Sequence, residues 1–319
     1  MPLIESNYRP KRWLFNGHAE TVVPSLFRKV PGVTYQRERI WLRDGDFLDL
    51  DWMKRSSTRL AIISHGLEGS SDRHYCKGMA KYFAQHGWDA LAWNCRSCSG
   101  EMNRLPRLYH HGATEDLDAV IVHSLSQGYA AVALVGFSMG GSLSLKWAGE
   151  RGNQIPSAIK AVVTFSVPCH LGSSALRLDQ PGNSFYRKRF LKKLQKKIEL
   201  KAQSFPGTIS AAGFHEIKTF EAFDNRYTAP LHGFTSARDF YARASCHPFL
   251  GAITVPSLIV NAENDPFLPP ECYPITLAKN HDFLHLEIPN RGGHVGFSLA
   301  GRAENWMEIR AFEFVQQVF

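Results

Sequence analysis

The sequence predicts an α/β protein with a mostly parallel central sheet, helices on both faces and an inserted helical cap. Short apolar runs alternate with amphipathic helical patterns from residue 59 to the C-terminus, which is typical of parallel sheets. The alternation stops at Pro168, and the next strand signal begins only at Val255. That interruption is too long for a loop, so residues 168–251 are expected to fold as a cap within a single domain, 1–319.

Each element before the cap follows from a local pattern. Residues 34–54 predict two strands with a turn at Asp44-Gly45-Asp46, a hairpin at the edge of the sheet. The β-α-β-α order after it requires crossover connections, which make neighbouring strands parallel. Thr114 is expected to cap its helix, because acidic residues follow in the first turn. The predicted strands are 59–64, 88–93, 130–135 and 158–165, and the predicted helices are 73–86, 114–127 and 139–150.

After the cap, the pattern predicts strands at 255–260 and 283–288 and a final amphipathic helix at 304–318. No internal repeat, low-complexity tract or interdomain linker interrupts the chain. One domain with a cap is therefore the simplest organisation, and a monomer is the default expectation.

Composition excludes several classes of protein. With 44% hydrophobic residues the chain is not disordered, and it has neither a membrane-spanning apolar run nor a signal-peptide pattern, so a cytoplasmic protein is expected. Cys95 and Cys98 form a CxxC, but no second CxxC or histidine pair accompanies it at the spacing of metal ligands. We therefore expect free thiols and no metal site.

The motif Gly136-Phe137-Ser138-Met139-Gly140 lies between a predicted buried strand and a predicted helix. The pattern G-x-S-x-G is weak alone, but this context is that of a nucleophile elbow. The two glycines would let strand and helix approach closely, and the sharp turn would lift the Ser138 hydroxyl above the sheet edge. The alternative is a glycine-rich turn with an incidental serine.

A serine nucleophile needs a base that a third group orients. Asp265 and His294 follow the strands ending near residues 260 and 288, so both belong on the same sheet edge as Ser138. Glycines flank His294 and would let its ring reach the serine. Glu263 is a rival acid, but Asp265 is favoured because it lies nearer the loop tip.

The oxyanion formed during ester hydrolysis needs two N–H donors. Met139, the residue after the nucleophile, is expected to supply one, and the turn His65-Gly66-Leu67 after the first central strand is expected to supply the other through the Leu67 amide. His65 is expected to shape this loop by hydrogen bonding and not to act as a second base.

Motifs of one known family occur in segments 13–21, 65–69, 96–104, 136–141, 223–225, 232–234, 264–267 and 292–297. Together these segments resemble the YheT-type α/β-hydrolases, which include bacterial esterases and eukaryotic membrane-anchored lipid hydrolases. The resemblance covers nearly the whole chain and implies hydrolysis of carboxylic esters, with Ser138, Asp265 and His294 matching the family's nucleophile, acid and base. The chain departs from the family by carrying Ser97 after Arg96 where a glycine is usual. No counterpart of the eukaryotic N-terminal anchor is expected, so membrane residence is not carried over from the family.

The net charge of +8 is concentrated in one predicted cap helix, residues 186–201. Its apolar residues Phe190, Leu191, Leu194 and Ile198 recur at helical spacing, which makes it a basic amphipathic helix. It could be a solvated lid helix, or it could border the substrate entrance while its lysines contact anionic membrane surfaces. Nucleic-acid binding is not expected, because no aromatic stacking platform accompanies the lysines.

The sequence thus predicts a serine hydrolase that cleaves short- to medium-chain acyl esters or lipids without a cofactor. Two other functions remain open. One is a binding protein without catalysis, because fold does not determine function. The other is an acyltransferase, since His111 and Asp116 form an H-x4-D pattern, although helix capping explains those acids more simply.

Overall fold

A computed structural model describes residues 3–11 and 13–318, and within them a nine-stranded sheet forms the centre of the molecule. The strands are β1 (Leu3–Ile4), β2 (Gln36–Trp41), β3 (Phe47–Met53), β4 (Arg59–Ser64), β5 (Asp89–Asn94), β6 (Ala131–Phe137), β7 (Ile159–Phe165), β8 (Ser257–Val260) and β9 (Leu284–Glu287). Their spatial order is β1-β9-β8-β7-β6-β4-β5-β3-β2. The predicted α/β class is confirmed.

The sheet is parallel except at one edge. β2 pairs antiparallel with β3, with Trp41 opposite Phe47, and β3 pairs antiparallel with β5. The predicted edge hairpin is therefore confirmed, and Gly45 at its turn has a positive φ of 82°. β1 pairs parallel with β9 at the other edge and was not predicted, because two residues carry no periodic signal.

The α-helices flank this sheet and build the segment inserted between β7 and β8. They are α1 (Gly17–Phe27), α2 (His74–Gln85), α3 (Thr114–Ser126), α4 (Met139–Arg151), α5 (Leu171–Asp179), α6 (Ser184–Ser204), α7 (Phe220–Phe223), α8 (Ala229–Leu231), α9 (Ala237–Ala244), α10 (Ile275–Lys279) and α11 (Trp306–Val318). The prediction that Thr114 is the N-cap residue of α3 was wrong. Ala113 holds that position, and the Thr114 hydroxyl instead donates a hydrogen bond to Glu150 at 2.6 Å.

Alternate residues of the central strands pack against the two helical layers. On β4, Leu60 and Ile62 face the layer of α3 and α4, whereas Ala61 and Ile63 face the layer of α2 and α11. Because both faces are covered, the central strands are apolar on both sides. Their carboxyl ends meet at one edge, where the loops after β4, β6, β8 and β9 converge.

The inserted segment has its own apolar cluster. The stripe of α6 supplies Leu191, Leu194 and Ile198 to it, and α7 supplies Phe220 and Phe223. The predicted apolar face of the basic helix is thus buried against other inserted helices. The segment 168–251 is called the cap below.

Candidate active site

Ser138 lies on a tight turn between β6 and α4, with a positive φ of 52°. A Cβ on Gly136 would lie 2.5 Å from the Gly140 carbonyl oxygen, and a Cβ on Gly140 would lie 2.3 Å from the Ser64 carbonyl oxygen. Neither position tolerates a side chain, so both glycines are required for this close approach. The local geometry is the one that the G-x-S-x-G motif predicts.

The structure brings the predicted serine, histidine and aspartate together. Ser138 Oγ lies 2.9 Å from His294 Nε2, and His294 Nδ1 lies 2.8 Å from Asp265 Oδ2. Asp265 and His294 follow Ser138 by 127 and 156 positions along the chain. They are nevertheless close in space, because the loops after β6, β8 and β9 meet at the same sheet edge. A continuous hydrogen-bonded path therefore runs from the serine hydroxyl to a buried carboxylate.

Asp265, and not Glu263, contacts the histidine. The Asp265 side chain is fully buried, and its second oxygen accepts a 2.8 Å hydrogen bond from the Phe267 amide. Glu263 is exposed to solvent. The fixed orientation of Asp265 suits it to hold one orientation of the His294 ring.

A buried carboxylate from the N-terminal helix ties the loops of Asp265 and His294 to each other. Glu20 Oε2 accepts hydrogen bonds from Asn264 Nδ2 at 2.7 Å and from the Gly292 amide at 3.0 Å. Its other oxygen lies 2.9 Å from Arg291 Nη2. Glu20 is only 1% exposed, so these donors replace the hydrogen bonds that its carboxylate would make with water.

Two hydroxyls fix the backbone on either side of the histidine ring. The His294 amide donates to Thr21 Oγ1 at 2.9 Å, and the Val295 amide donates to Ser166 Oγ at 2.8 Å. Glu20, Thr21 and Ser166 are not among the site residues that the sequence predicts. Segment 13–21 carried part of the family resemblance, which was the available signal for the first two.

The predicted oxyanion loop lies against the serine. A Cβ on Gly66 would lie 3.2 Å from Ser138 Cβ, so the turn that carries Leu67 is adjacent to the nucleophile position. Met139 is the first residue of α4, and the first amides of a helix have no acceptor within it. His65 contacts the Gly66 carbonyl oxygen at 2.8 Å and accepts from the Cys95 amide at 3.1 Å, which confirms its loop-shaping role.

Two cavities meet at Ser138 and His294. One, of about 930 Å³, extends beneath the cap and is lined mainly by apolar side chains, including Leu171, Phe220 and Phe223. The other, of about 820 Å³, opens toward α1, α2 and the start of α6. An ester carbonyl placed at the serine would therefore have separate space for its acyl and alcohol parts.

The H-x4-D pattern does not form a pair in the structure. Both carboxylate oxygens of Asp116 accept hydrogen bonds from Arg96, at 2.7 and 2.9 Å, and Arg96 also contacts Asp44 and Asp46. His111 lines the apolar cavity, and burial lowers its pKa to about 4. Asp116 is therefore committed to an ion-pair network under the loop that follows β5.

Ser97, the departure from the family pattern, has a positive φ of 62°, the conformation that favours glycine. Its hydroxyl donates to Asn103 Oδ1 at 2.5 Å and accepts from the Asn103 amide at 3.1 Å. These hydrogen bonds hold the loop with serine at this position. Cys95 and Cys98 are free thiols, as predicted.

The basic helix α6 does not direct all of its cations toward solvent. Lys193, Lys197 and Lys201 recur every four residues and point inward, donating to the Glu68 carbonyl, the Glu68 carboxylate and the Asn103 carbonyl. Lys188, Lys192 and Lys196 are exposed. The basic residues of α6 are therefore divided between an inward-facing row and an exposed row.

A positive-φ serine between a parallel strand and a helix, with an acid and a histidine on later loops of the same edge, is the arrangement of an α/β-hydrolase. Comparison with protein families agrees, since residues 62–299 match the family described as alpha/beta hydrolase fold. The chain belongs to this family.

Individual relatives narrow the class. Over 316 residues the chain is 32% identical to the YheT protein of Escherichia coli (strain K12), covering 96% of this chain and 92% of that protein. It is 30% identical over 329 residues to human phospholipase ABHD3, covering 99% and 80%. These relatives confirm the predicted family resemblance, and the protein stands among the ester hydrolases of this fold.

The solved structures support the fold. The Pyrococcus furiosus esterase Pf2001 superimposes with a TM-score of 0.58 at 17% identity, over 91% of this chain and 96% of that one. At this identity the likeness shows the fold alone. Among the described residues, none of the helices has both the length and the apolarity that a bilayer span requires.

Proposed function

We propose that the protein is a serine hydrolase that cleaves carboxylic esters through an acyl-enzyme on Ser138. The observation that carries the proposal is the path Ser138–His294–Asp265, with contacts of 2.9 and 2.8 Å, at the junction of two cavities. A base within hydrogen-bonding reach of a serine, itself oriented by an acid, is what nucleophilic catalysis requires.

In the proposed reaction, His294 Nε2 takes the Ser138 proton while Oγ attacks the ester carbonyl. The amides of Leu67 and Met139 stabilise the negative charge that develops on the carbonyl oxygen. When the tetrahedral intermediate collapses, His294 returns the proton to the departing alcohol. A water molecule then attacks the acyl-enzyme with the same histidine as base, which frees the acid and restores Ser138. These steps need no metal or cofactor.

The apolar cavity beneath the cap supports a hydrocarbon acyl group as one part of the substrate. Its aliphatic and aromatic lining would remove such a chain from water at about 25 cal/mol for each Å² buried. A short- to medium-chain acyl ester or lipid is the proposed substrate. Two relatives support a lipid ester as substrate. One is human phospholipase ABHD3, and the other is the monoacylglycerol lipase of Saccharomyces cerevisiae, which is 25% identical over 77% of this chain.

The proposed organisation is one hydrolase domain spanning residues 1–319, with residues 168–251 as a cap over the site. We also propose a monomeric, cytoplasmic protein. Contact with an anionic membrane surface through 186–201 would now use only the exposed Lys188, Lys192 and Lys196, because the other lysines of that helix face inward. Vesicle flotation with and without anionic lipid tests this contact, and equal recovery of the protein with both would refute it.

The central test compares two serine variants of the same helix region. Ser138→Ala should abolish hydrolysis of para-nitrophenyl butyrate and labelling by a fluorophosphonate probe, while thermal unfolding stays cooperative. Ser142→Ala is the control, because this buried serine lies one turn into α4. Undiminished turnover by Ser138→Ala would refute the assignment, and absence of probe labelling in the wild-type protein would instead favour a binding protein.

A further inference from the structure

The cavity opposite the cap's apolar cavity differs from it in charge. It shares Ser138, His294 and Phe190 with the apolar cavity, but it is also lined by Arg73, Arg189 and Lys193. Its lining among the described residues includes neither aspartate nor glutamate. The space on this side of the nucleophile is therefore bordered by cations.

The three cations come from two separate elements, and two of them contact the same backbone carbonyl. Arg73 precedes α2, while Arg189 and Lys193 lie one turn apart on α6. Lys193 Nζ donates to the Glu68 carbonyl oxygen at 2.9 Å, and Arg73 Nη2 donates to the same oxygen at 3.4 Å. Within the described parts of the chain, none of the three forms an ion pair with a carboxylate.

The carboxylate of Glu68 forms its ion pair with another cation. The Glu68 carboxylate accepts a 2.6 Å hydrogen bond from the Tyr109 hydroxyl and lies 2.8 Å from Lys197 Nζ. Its charge is therefore matched by Lys197 on the side of the apolar cavity. The positive charge of Arg73, Arg189 and Lys193 remains in excess beside Ser138.

The environment of Lys193 is unfavourable for a cation in the absence of an anion. Burial lowers the pKa of its ammonium group, and the neighbouring Arg73 and Arg189 lower it further, against the opposing effect of Glu68. His74 lines the same cavity but adds no charge at neutral pH, because burial and the adjacent arginines lower its pKa to about 3. A bound anion would offset this repulsion.

We propose that this cavity binds an anionic group, a carboxylate or a phosphate, on the alcohol part of the ester substrate, with Arg73, Arg189 and Lys193 as its partners. This inference rests on the proposed function. The apolar cavity takes the acyl chain, so the alcohol part occupies the other cavity, which His294 also lines and where it can protonate the leaving oxygen. The protein would therefore prefer acyl esters of acidic alcohols over uncharged ones.

The test uses two matched pairs of esters with the same acyl chain. The first pair is ortho-nitrophenyl octanoate and its analogue with a carboxylate on the ring, and the second is monooctanoylglycerol and monooctanoylglycerol phosphate. For each pair the quantity measured is the ratio of kcat/KM for the anionic ester to kcat/KM for the uncharged one. Comparison of the pairs also distinguishes a carboxylate site from a phosphate site.

The double variant Arg189→Gln/Lys193→Gln should lower this ratio by about tenfold in at least one pair, since it removes two of the three charges. The matched control is Lys192→Gln/Lys196→Gln, which removes the same charge at the same spacing from the exposed face of α6. Its ratio should stay within about twofold of the wild type.

Three outcomes would overturn the inference. A double variant that leaves both ratios at the wild-type value, or that slows the charged and uncharged esters equally, shows that the cations do not recognise the alcohol part. A control that lowers the ratio as much as the double variant shows only long-range attraction. If the wild-type protein hydrolyses none of the four esters and resists fluorophosphonate labelling, the proposed function fails, and the inference falls with it.

Discussion

Glu20 is expected to act as a positioning residue for the histidine and its acid, and Glu20→Gln tests this role. The carboxylate joins helix α1 to Asn264, the neighbour of Asp265, and to Gly292, two residues before His294. Glutamine has the same shape but no charge, and it replaces one acceptor oxygen with an NH2 donor. One of the groups that donate to Glu20, from Asn264, Gly292 or Arg291, would then face the NH2 group of glutamine and lose its acceptor.

The expected loss of stability follows from the hydrogen bonds of Glu20 that glutamine cannot make. Hydrogen bonds to a buried charged group each contribute about 1.5–3 kcal/mol. Glutamine retains one acceptor, so we expect the free energy of unfolding to fall by roughly 2–4 kcal/mol. The loss of Glu20 should also lower the catalytic rate, because a shift of about 1 Å in a catalytic group can cost on the order of 100-fold in rate. A fall of at least tenfold in kcat with KM little changed is expected.

The assay combines urea unfolding with kinetics on para-nitrophenyl butyrate. Glu216→Gln serves as the control, because the Glu216 side chain is 76% exposed and lies 3.9 Å from His215. A Glu20→Gln protein that is destabilised as expected but keeps the wild-type kcat would show that the carboxylate supports folding only. Wild-type stability together with wild-type kcat would refute the reasoning altogether.

Three further predictions follow from the same structure. Asp265→Asn should lower kcat/KM by roughly 10^3 to 10^4-fold, whereas Glu263→Gln should have little effect, and equal losses would restore Glu263 as the acid. Gly140→Ala should lower the free energy of unfolding in urea by about 3 kcal/mol or more, because the new Cβ would collide with the Ser64 carbonyl. Gly207→Ala is the control, since open space surrounds that position, and similar unfolding midpoints for the two variants would contradict the prediction. Burial raises the pKa of Asp224 from 3.8 to about 6, so the folded state keeps a proton that the unfolded state loses, and wild-type stability falls as pH rises between these values. Relative to wild type, Asp224→Asn should therefore gain about 2–3 kcal/mol between pH 4 and pH 7, and a pH-independent difference would refute the assigned pKa.

The elements around β4, β6 and α4 could be predicted from the sequence because their signals are local. Alternation or helical spacing of apolar residues reflects the geometry of a few consecutive residues. The positions of Asp265 and His294 followed from one further rule, that the carboxyl ends of parallel strands meet at one edge. The prediction that Thr114 is the N-cap residue of α3 was wrong, because its hydroxyl donates a hydrogen bond to Glu150, on another helix.

The sequence by itself determined the fold class, the turn that carries Ser138 and the three residues that meet there, since each depends on local pattern and strand order. Only the tertiary structure decided what supports and borders that site. Glu20 contacts a loop 272 positions away, and α6 turns Lys193 inward while Lys192 beside it stays in solvent. These outcomes depend on which groups the packing of distant elements places within hydrogen-bonding distance. No spacing along the chain encodes that distance.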